Sequence, residues 1–350
     1  MKSLAAARAA SLAALALAVG ACSEIGDSDS TEGGSGGDGA SGDPSTGPGT
    51  PGPASGTGGG SSDGGSGSAQ GGSASSAGGA GSGGSDPGVC ARWQADRANM
   101  SEGSWSGSIA SCDPGDVSAE GRDNALKLVN LYRFLAGMPA VTHEATRNER
   151  AQACALLVHA NNMLSHNPPP TWNCYTQLGA DGAGSSNIAS TPGVTGVDLY
   201  MADPGNDTTM GHRRWILSGS IGPIGLGTTD GYSCMQVIGG SGNTQKPFVA
   251  FPSPGVFPSG AMTASFAPVD QTGWTVQSSQ IDLSGASVTV TDGGQDMPVE
   301  VVHLQQGYGD TWALRFNPQG WTTQAGHTYA VGVTGGSQPI DYEVEVVDCP

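Results

Sequence analysis

The spacing of hydrophobic and polar positions changes along the chain from a helical period to an alternating one. Leucines recur at helical intervals within 118–137 and predict an amphipathic helix there, with Ser118 as a suitable N-cap. Small side chains at the same spacing predict a second helix over 146–164, because the prolines that follow cannot continue it. A third, short helix is predicted over 194–202.

Short strands follow the helices. Apolar residues and turn-forming residues predict two strands around 221–226 and 232–238. The polar segment Gly211-His212-Arg213-Arg214 is predicted to lead into the first of these strands. Later segments alternate between apolar and polar residues, and they cover 274–278, 286–290, 299–303, 312–316, 329–333 and 342–347. Helices first and strands later predict an α+β fold, an α-β-α sandwich followed by a small antiparallel β-sandwich.

Composition divides the chain into four parts. Residues 1–22 have a basic start and a short apolar run that is typical of a signal peptide, and residues 23–88 are a Gly/Ser-rich linker predicted to be disordered. Residues 89–250 are predicted to form the helical domain. Its first segment is a short lead-in with two cysteines, which is predicted to pack over the domain as a flap held by disulfides. Residues 251–350 form the β-sandwich domain, which begins at a Pro-Ser-Pro-Gly break.

The signal sequence ends Val-Gly-Ala-Cys22 and resembles the lipobox of bacterial lipoproteins, in which the cysteine becomes the lipidated first residue. A long flexible tether after Cys22 suits a domain anchored to a membrane. The alternative is an ordinary secretory signal with an incidental cysteine. Both alternatives predict export, to the outer membrane or cell surface in the first case and by secretion in the second.

Charge and cysteine content narrow the possible partners. The net charge of −18 argues against nucleic acid as a partner, because the sequence has no basic stripe that could replace the counterions of the phosphates. Six cysteines remain after Cys22, and an even number in an exported domain predicts three disulfides. Fifteen pairings are open. The pairing expected from the order along the chain is Cys90 with Cys112, Cys154 with Cys174, and Cys234 with Cys349.

Five short motifs in order within 118–238 resemble the CAP superfamily of SCP-like extracellular domains. They are Asn130-x-x-Arg133 with Gly137-Met138-Pro139, the helix from Ala151-Gln152 to Met163, Ser165-His166-Asn167, Asn187-Ile188-Ala189, and Gly211-His212-Arg213-Arg214 through Gly225-Leu226-Gly227. The resemblance implies an α-β-α sandwich with a cleft that holds two histidines and two acidic residues, where some members bind a divalent metal.

By this resemblance His166 and His212 occupy the two histidine positions of the cleft. Ser186 stands where the family motif places a glutamate, so the set of acids is incomplete. Two imidazoles can bind zinc, but a stable site needs a third protein ligand. Aspartates could supply a carboxylate, and the candidates are Asp198, Asp203 and Asp207. The alternative is a pair of histidines that only form hydrogen bonds across the cleft.

Other polar residues are weaker candidates. The remaining histidines lack partners nearby in sequence, and they are His143, His159, His303 and His327. Arg213 and Arg214 could meet an anion, but an arginine pair beside Trp215 more often satisfies loop carbonyls and covers a ring.

The function expected from these features is a lipid-anchored, extracytoplasmic binding module that takes a peptide, glycan or lipid-like ligand in a cleft lined by His166, Ser186 and His212. One alternative is a metal-assisted, peptidase-like hydrolase in the same cleft, with zinc as the expected metal. Another is a structural protein of the cell envelope. The incomplete acidic set favours binding over catalysis.

Overall fold

The computed structural model describes residues 87–350. The predicted signal peptide, the lipobox Cys22 and all but the end of the predicted linker lie outside the described residues. No helix within 87–350 is long and apolar enough to span a bilayer.

Seven α-helices occur in the described part of the chain. They are α1 (Pro87–Arg97), α2 (Ala119–Leu135), α3 (Ala145–Asn161), α4 (Gln177–Gly184), α5 (Gly193–Ala202), α6 (Gly211–Leu217) and α7 (Val269–Thr272). The helices predicted near α2 and α5 are confirmed. The lead-in begins as α1, and both of its cysteines form disulfides with later parts of the chain. Helix α3 ends earlier than predicted, because Asn162 adopts a left-handed conformation at its C-cap.

The strands form three sheets. The first has the order β1 (Ser186–Ala189), β3 (Ser233–Gln236), β2 (Gly225–Thr228). The second has the order β4 (Val249–Phe251), β6 (Trp274–Ser278), β10 (Trp312–Pro318), β9 (Val299–His303). The third has the order β5 (Gly255–Pro258), β12 (Ile340–Val347), β11 (Thr328–Thr334), β7 (Ser287–Asp292), β8 (Gln295–Asp296). All neighbours are antiparallel except β5 and β12.

The first sheet lies between two layers of helices. Small side chains let α3 approach it closely, and a Cβ on Gly227 would lie 2.2 Å from the Ala151 carbonyl carbon. Helices α3 and α4 pack against this sheet, while α2 and α5 pack against each other and against it. The α-β-α arrangement and the β-rich region after it confirm the predicted α+β fold class.

The second and third sheets share a hydrophobic core with the helical part. Buried residues of both sheets, such as Phe316 and Val344, belong to the same cluster as Leu128 and Val197 of the helices. Strand β4 precedes the predicted boundary at residue 251 and pairs with β6 beyond it. The division into domains at that residue stays a prediction.

All six cysteines are paired, but the expected pairing of neighbours along the chain is wrong. The disulfides join Cys90 to Cys349, Cys112 to Cys174, and Cys154 to Cys234. Cys154 lies on the face of α3 that packs on β3, so its nearest cysteine is Cys234. The chain end returns to α1 and is tied there. Packing between layers decided the pairing, and sequence distance did not.

Candidate functional site

His166 is held by the element that follows it in the chain. It lies in the loop after α3, and its Nδ1 atom is 2.8 Å from the carbonyl oxygen of Ala183 near the end of α4. Because a carbonyl can only accept, Nδ1 carries the proton and donates. The other ring nitrogen, Nε2, is therefore left to face away from α4.

His212 is fixed by a buried carboxylate. It is the second residue of α6, and its Nδ1 atom is 2.9 Å from Oδ1 of Asp203, whose side chain is 0% exposed. Asp203 adopts a left-handed conformation at the C-cap of α5 and accepts from the Arg213 backbone N–H at 3.3 Å. The Asn206 amide donates to the same Oδ1 at 2.6 Å. These contacts place the proton of His212 on Nδ1 and leave Nε2 free.

Ser186, the residue at the family's glutamate position, is buried on β1. It is 4% exposed, and its Oγ atom is enclosed with no hydrogen-bond partner in the described part of the chain. The next residue, Asn187, donates from Nδ2 to the carbonyl oxygen of His212 at 3.1 Å, which ties β1 to α6. An enclosed hydroxyl without a partner is destabilising, so the Ser186 hydroxyl is able to form a hydrogen bond with a group that enters the pocket.

These three residues line one pocket of about 320 Å³, including the part open to solvent. The pocket is narrow and admits groups about the size of a water molecule, such as hydroxyls. The lining residues are His166, Ser186, Asn187, Asn206, Thr209, Gly211, His212, Trp215, Val237, Ile238 and Tyr308. The structure thus brings together all three residues that the sequence singled out for the cleft.

His166 presents a hydrogen-bond acceptor to the pocket at neutral pH. Burial lowers the pKa of His166, the contact with the Ala183 carbonyl opposes this shift, and the nearby His212 adds to it. His166 is therefore neutral, with a lone pair on Nε2. Neither Nε2 atom of the two histidines has a hydrogen-bond partner in residues 87–350, and neither is fully enclosed. Both are available to a group that enters the pocket.

The arginine pair holds the fold together. The Arg213 side chain donates to the carbonyl oxygens of Met201 and Gly273, each at 2.6 Å, and its guanidinium lies 5.2 Å from the centre of the Phe251 ring. Burial lowers the pKa of Arg213 and of Arg214 to about 10, so both stay charged at neutral pH. The covered rings are those of Phe251 and Tyr308, while the sequence suggested Trp215.

The remaining candidates lie away from the pocket. Asp198 accepts from Arg97 at 2.8 Å and from the Tyr132 hydroxyl at 2.6 Å, and Asp207 accepts from Arg315 at 3.1 Å. The other histidines make their ring contacts and hydrogen bonds outside this pocket, and they are His143, His159, His303 and His327. Of the three aspartates considered, Asp203 is the one beside a cleft histidine.

The side chains of the pocket are a poor set of ligands for a bound metal ion. Within residues 87–350, no group of three or more His, Cys, Asp or Glu side chains is arranged to hold a metal ion. Asp203 is engaged with the far side of the His212 ring, where it orients the imidazole. The two Nε2 atoms are thus the imidazole donors that the pocket offers, and tetrahedral zinc sites use three or four protein ligands.

Several residues of the pocket could not be singled out from the sequence, among them Asn206 and Tyr308. Asn206 had no motif to mark it, although asparagine is a common turn residue. Tyr308 comes from the distant loop between β9 and β10, and no local pattern connects it to the histidines.

Comparison with known protein families supports the resemblance found in the motifs. The family described as Cysteine-rich secretory protein family (CAP) matches residues 126–237, about a third of the chain. The matched segment contains α3 to α6, β1 to β3 and most of α2. Comparisons with curated proteins and with solved structures found no match. The CAP match and the three disulfides fit an extracellular protein.

Proposed function

We propose that this chain is an extracytoplasmic binding module in which His166, Ser186 and His212 bind a hydroxyl-bearing group of a glycan. The proposal is supported by the enclosed Ser186 hydroxyl, which has no hydrogen-bond partner among residues 87–350 and belongs to the same pocket as two imidazoles that are both fixed through Nδ1. Lipid anchoring through Cys22 would hold the module at a membrane. The ligand classes suggested by the sequence also include peptides and lipid-like molecules.

The chemistry of the pocket favours hydroxyl groups over anions. Two Nε2 lone pairs accept hydrogen bonds, and the Ser186 hydroxyl can both donate and accept. A pair of neighbouring sugar hydroxyls could donate to the imidazoles and accept from Ser186. A carboxylate or phosphate would instead bring lone pairs against lone pairs. Trp215 and Tyr308 line the same pocket, and an aromatic ring there would suit the flat face of a sugar ring.

Retention on an array of neutral, acidic and amino-bearing oligosaccharides tests the proposal. The purified protein should retain neutral oligosaccharides, and a His166→Ala/His212→Ala double variant should lose at least about tenfold in affinity, because two hydrogen bonds of about 1 kcal/mol each are removed. A His143→Ala/His327→Ala variant is the matched control and should bind normally. Equal retention by all three proteins would show that oligosaccharides bind outside the pocket. It would favour the alternative function, a structural protein of the cell envelope.

Metal-assisted hydrolysis is the competing function, and the same pocket tests it. Zinc should raise the melting temperature of the natural protein very little, whereas Ser186→Glu should respond strongly, because it restores a carboxylate at the family's glutamate position. A strong response of the natural protein, abolished in the double histidine variant, would favour the metal-dependent alternative.

Anchoring is tested separately from ligand binding. Changing Cys22 to serine should move the protein from the membrane fraction to the soluble exported fraction. Unchanged association with membranes would contradict lipidation at Cys22 and would leave the proposal for the pocket intact.

A further inference from the structure

One wall of the histidine pocket comes from the β-rich C-terminal region. The other lining residues all lie between His166 and Ile238, while Tyr308 lies in the loop 304–311 that joins β9 to β10. This loop is far from the CAP-matching segment 126–237 in sequence. The pocket is therefore built from two separate parts of the chain.

Arg214 clamps the loop 304–311 near both of its ends. Its Nη1 atom donates to the carbonyl oxygen of Gln305 at 2.7 Å, and its Nη2 atom donates to the carbonyl oxygen of Asp310 at 2.8 Å. The Gln305 backbone N–H donates to the Thr208 carbonyl oxygen at 2.9 Å, just before α6. A buried guanidinium with two such bonds holds a loop in one position, because leaving the carbonyls or the charge without partners is costly.

The ring of Tyr308 lies directly on the start of α6. A Cβ added to Gly211, the residue before His212, would lie 2.6 Å from Cδ1 of Tyr308, so this position has room only for glycine while the ring is in place. Gly309 has a φ of +57°, and a Cβ there would lie 2.6 Å from the Arg214 carbonyl oxygen. Glycines at both contact points thus allow the loop to approach the helix this closely.

We infer that the C-terminal region is part of the binding site and that Tyr308 is a specificity-determining residue, limiting which groups reach the imidazoles of His166 and His212. The inference rests on the proposed function for its ligand, a glycan whose sugar ring would stack on the Tyr308 face. The wall itself is independent of the ligand. The guanidinium of Arg214 lies 5.9 Å from the centre of the Tyr308 ring and helps to hold that face in position.

The rate of chemical modification of the imidazoles tests, without a ligand, whether Tyr308 forms a wall of the pocket. Diethyl pyrocarbonate modifies unprotonated imidazole nitrogens, and mass spectrometry of peptides gives the rate at each histidine of the intact protein. Replacing Tyr308 with alanine should raise the rates at His166 and His212 several-fold, because the pocket loses a wall. Tyr308→Phe should leave both rates unchanged, because it keeps the ring. His143 and His327 are internal references and should react equally in all proteins.

A melting curve shows whether each variant is folded. If Tyr308→Ala does not fold, Tyr308→Leu replaces it, since leucine keeps apolar contact with Gly211 but lacks the flat ring. Unchanged rates at His166 and His212 in the folded truncation variant would overturn the inference, because a wall cannot be removed without changing access.

The oligosaccharide array then tests the specificity. Truncation at Tyr308 should change the order of preference among neutral oligosaccharides, whereas Tyr308→Phe should preserve it. An unchanged order would overturn the specificity role. If truncation exposes the imidazoles but no oligosaccharide is retained by any of the proteins, the wall is confirmed and the proposed glycan function fails. The two proposals can therefore fail separately.

Discussion

The Nδ1 atom of His212 lies 2.9 Å from Oδ1 of Asp203, a carboxylate at the C-cap of the preceding helix that is fully shielded from solvent. The chain has a serine where the family motif has its glutamate, yet one cleft imidazole still has an acidic partner. This partner approaches the ring from behind, so it orients His212 and leaves Nε2 for the pocket. An acid that orients the ring from behind differs from an acid inside the pocket, which could itself bind a metal.

Replacing Asp203 with alanine should destabilise the protein by about 3 kcal/mol. The change leaves the His212 ring, the Asn206 amide and the Arg213 backbone N–H without their buried acceptor, and each such loss costs about 1–3 kcal/mol. Urea unfolding measures the effect. Asp203→Asn keeps one acceptor oxygen and should lose less. Asp207→Ala is the control at an exposed aspartate, and a loss there as large as at Asp203 would contradict the role assigned to the buried carboxylate.

Replacing Ser186 with alanine should separate stability from function. The Ser186 hydroxyl is enclosed without a partner, so its removal should leave the free energy of unfolding unchanged or raise it by about 1 kcal/mol. Retention of neutral oligosaccharides should nevertheless fall. Thermal unfolding and the oligosaccharide array measure the two effects. A destabilised variant that still binds normally would show that the hydroxyl serves the fold.

Acid should destabilise the protein partly through His166. Burial lowers the pKa of this imidazole in the folded chain, so the unfolded chain takes up the proton first as the pH falls. The contribution to stability is complete above the ordinary histidine pKa and is lost as the pH falls from there towards the folded-state value. Burial also lowers the pKa of His159, which adds to the same trend.

Unfolding measured at pH 7.5 and 5.5 tests the contribution of His166. The loss of stability between these values should be smaller for His166→Asn than for the natural protein, because asparagine does not titrate. An equal loss in both proteins would assign the acid sensitivity to other groups.

Removing the Cys90–Cys349 disulfide should lower the free energy of unfolding more than removing Cys112–Cys174. The first closes a sequence separation of 259 and the second a separation of 62, and a longer closed loop restricts the unfolded chain more. Each loss should amount to about 2–5 kcal/mol. Paired serine variants and chemical unfolding give the comparison, and mass spectrometry of unreduced peptides checks the pairing itself. The reverse order of stability would show that local strain or residual structure outweighs loop length.

Local patterns were enough to predict most of the fold. The strands near Trp274–Ser278 and Val299–His303 were predicted with their bounds, because alternation and turn residues mark both ends. Strand β1 and helices α4 and α6 were missed, since a four-residue strand, a glycine-rich helix and a helix of seven residues carry almost no periodicity. The disulfide pairing failed for a different reason, because it depends on which layers meet.

The residues of the candidate site that lie in short sequence motifs could be predicted, and the others could not. His166, Ser186 and His212 were found because each lies in a motif whose family has a known arrangement, and the pocket does bring them together. Tyr308 could not be found in this way. Its place in the pocket depends on a loop held by Arg214, a contact between distant parts of the chain that leaves no periodic signal in the sequence.

In the proposed site both imidazoles present an unprotonated Nε2 to one pocket, and long-range ¹H–¹⁵N NMR of histidine side chains measures this directly. The spectra should show a proton on Nδ1 of both His166 and His212, and both sets of signals should shift when a retained neutral oligosaccharide is added. A ring with the proton on Nε2, or an oligosaccharide that shifts neither histidine, would contradict the proposed site.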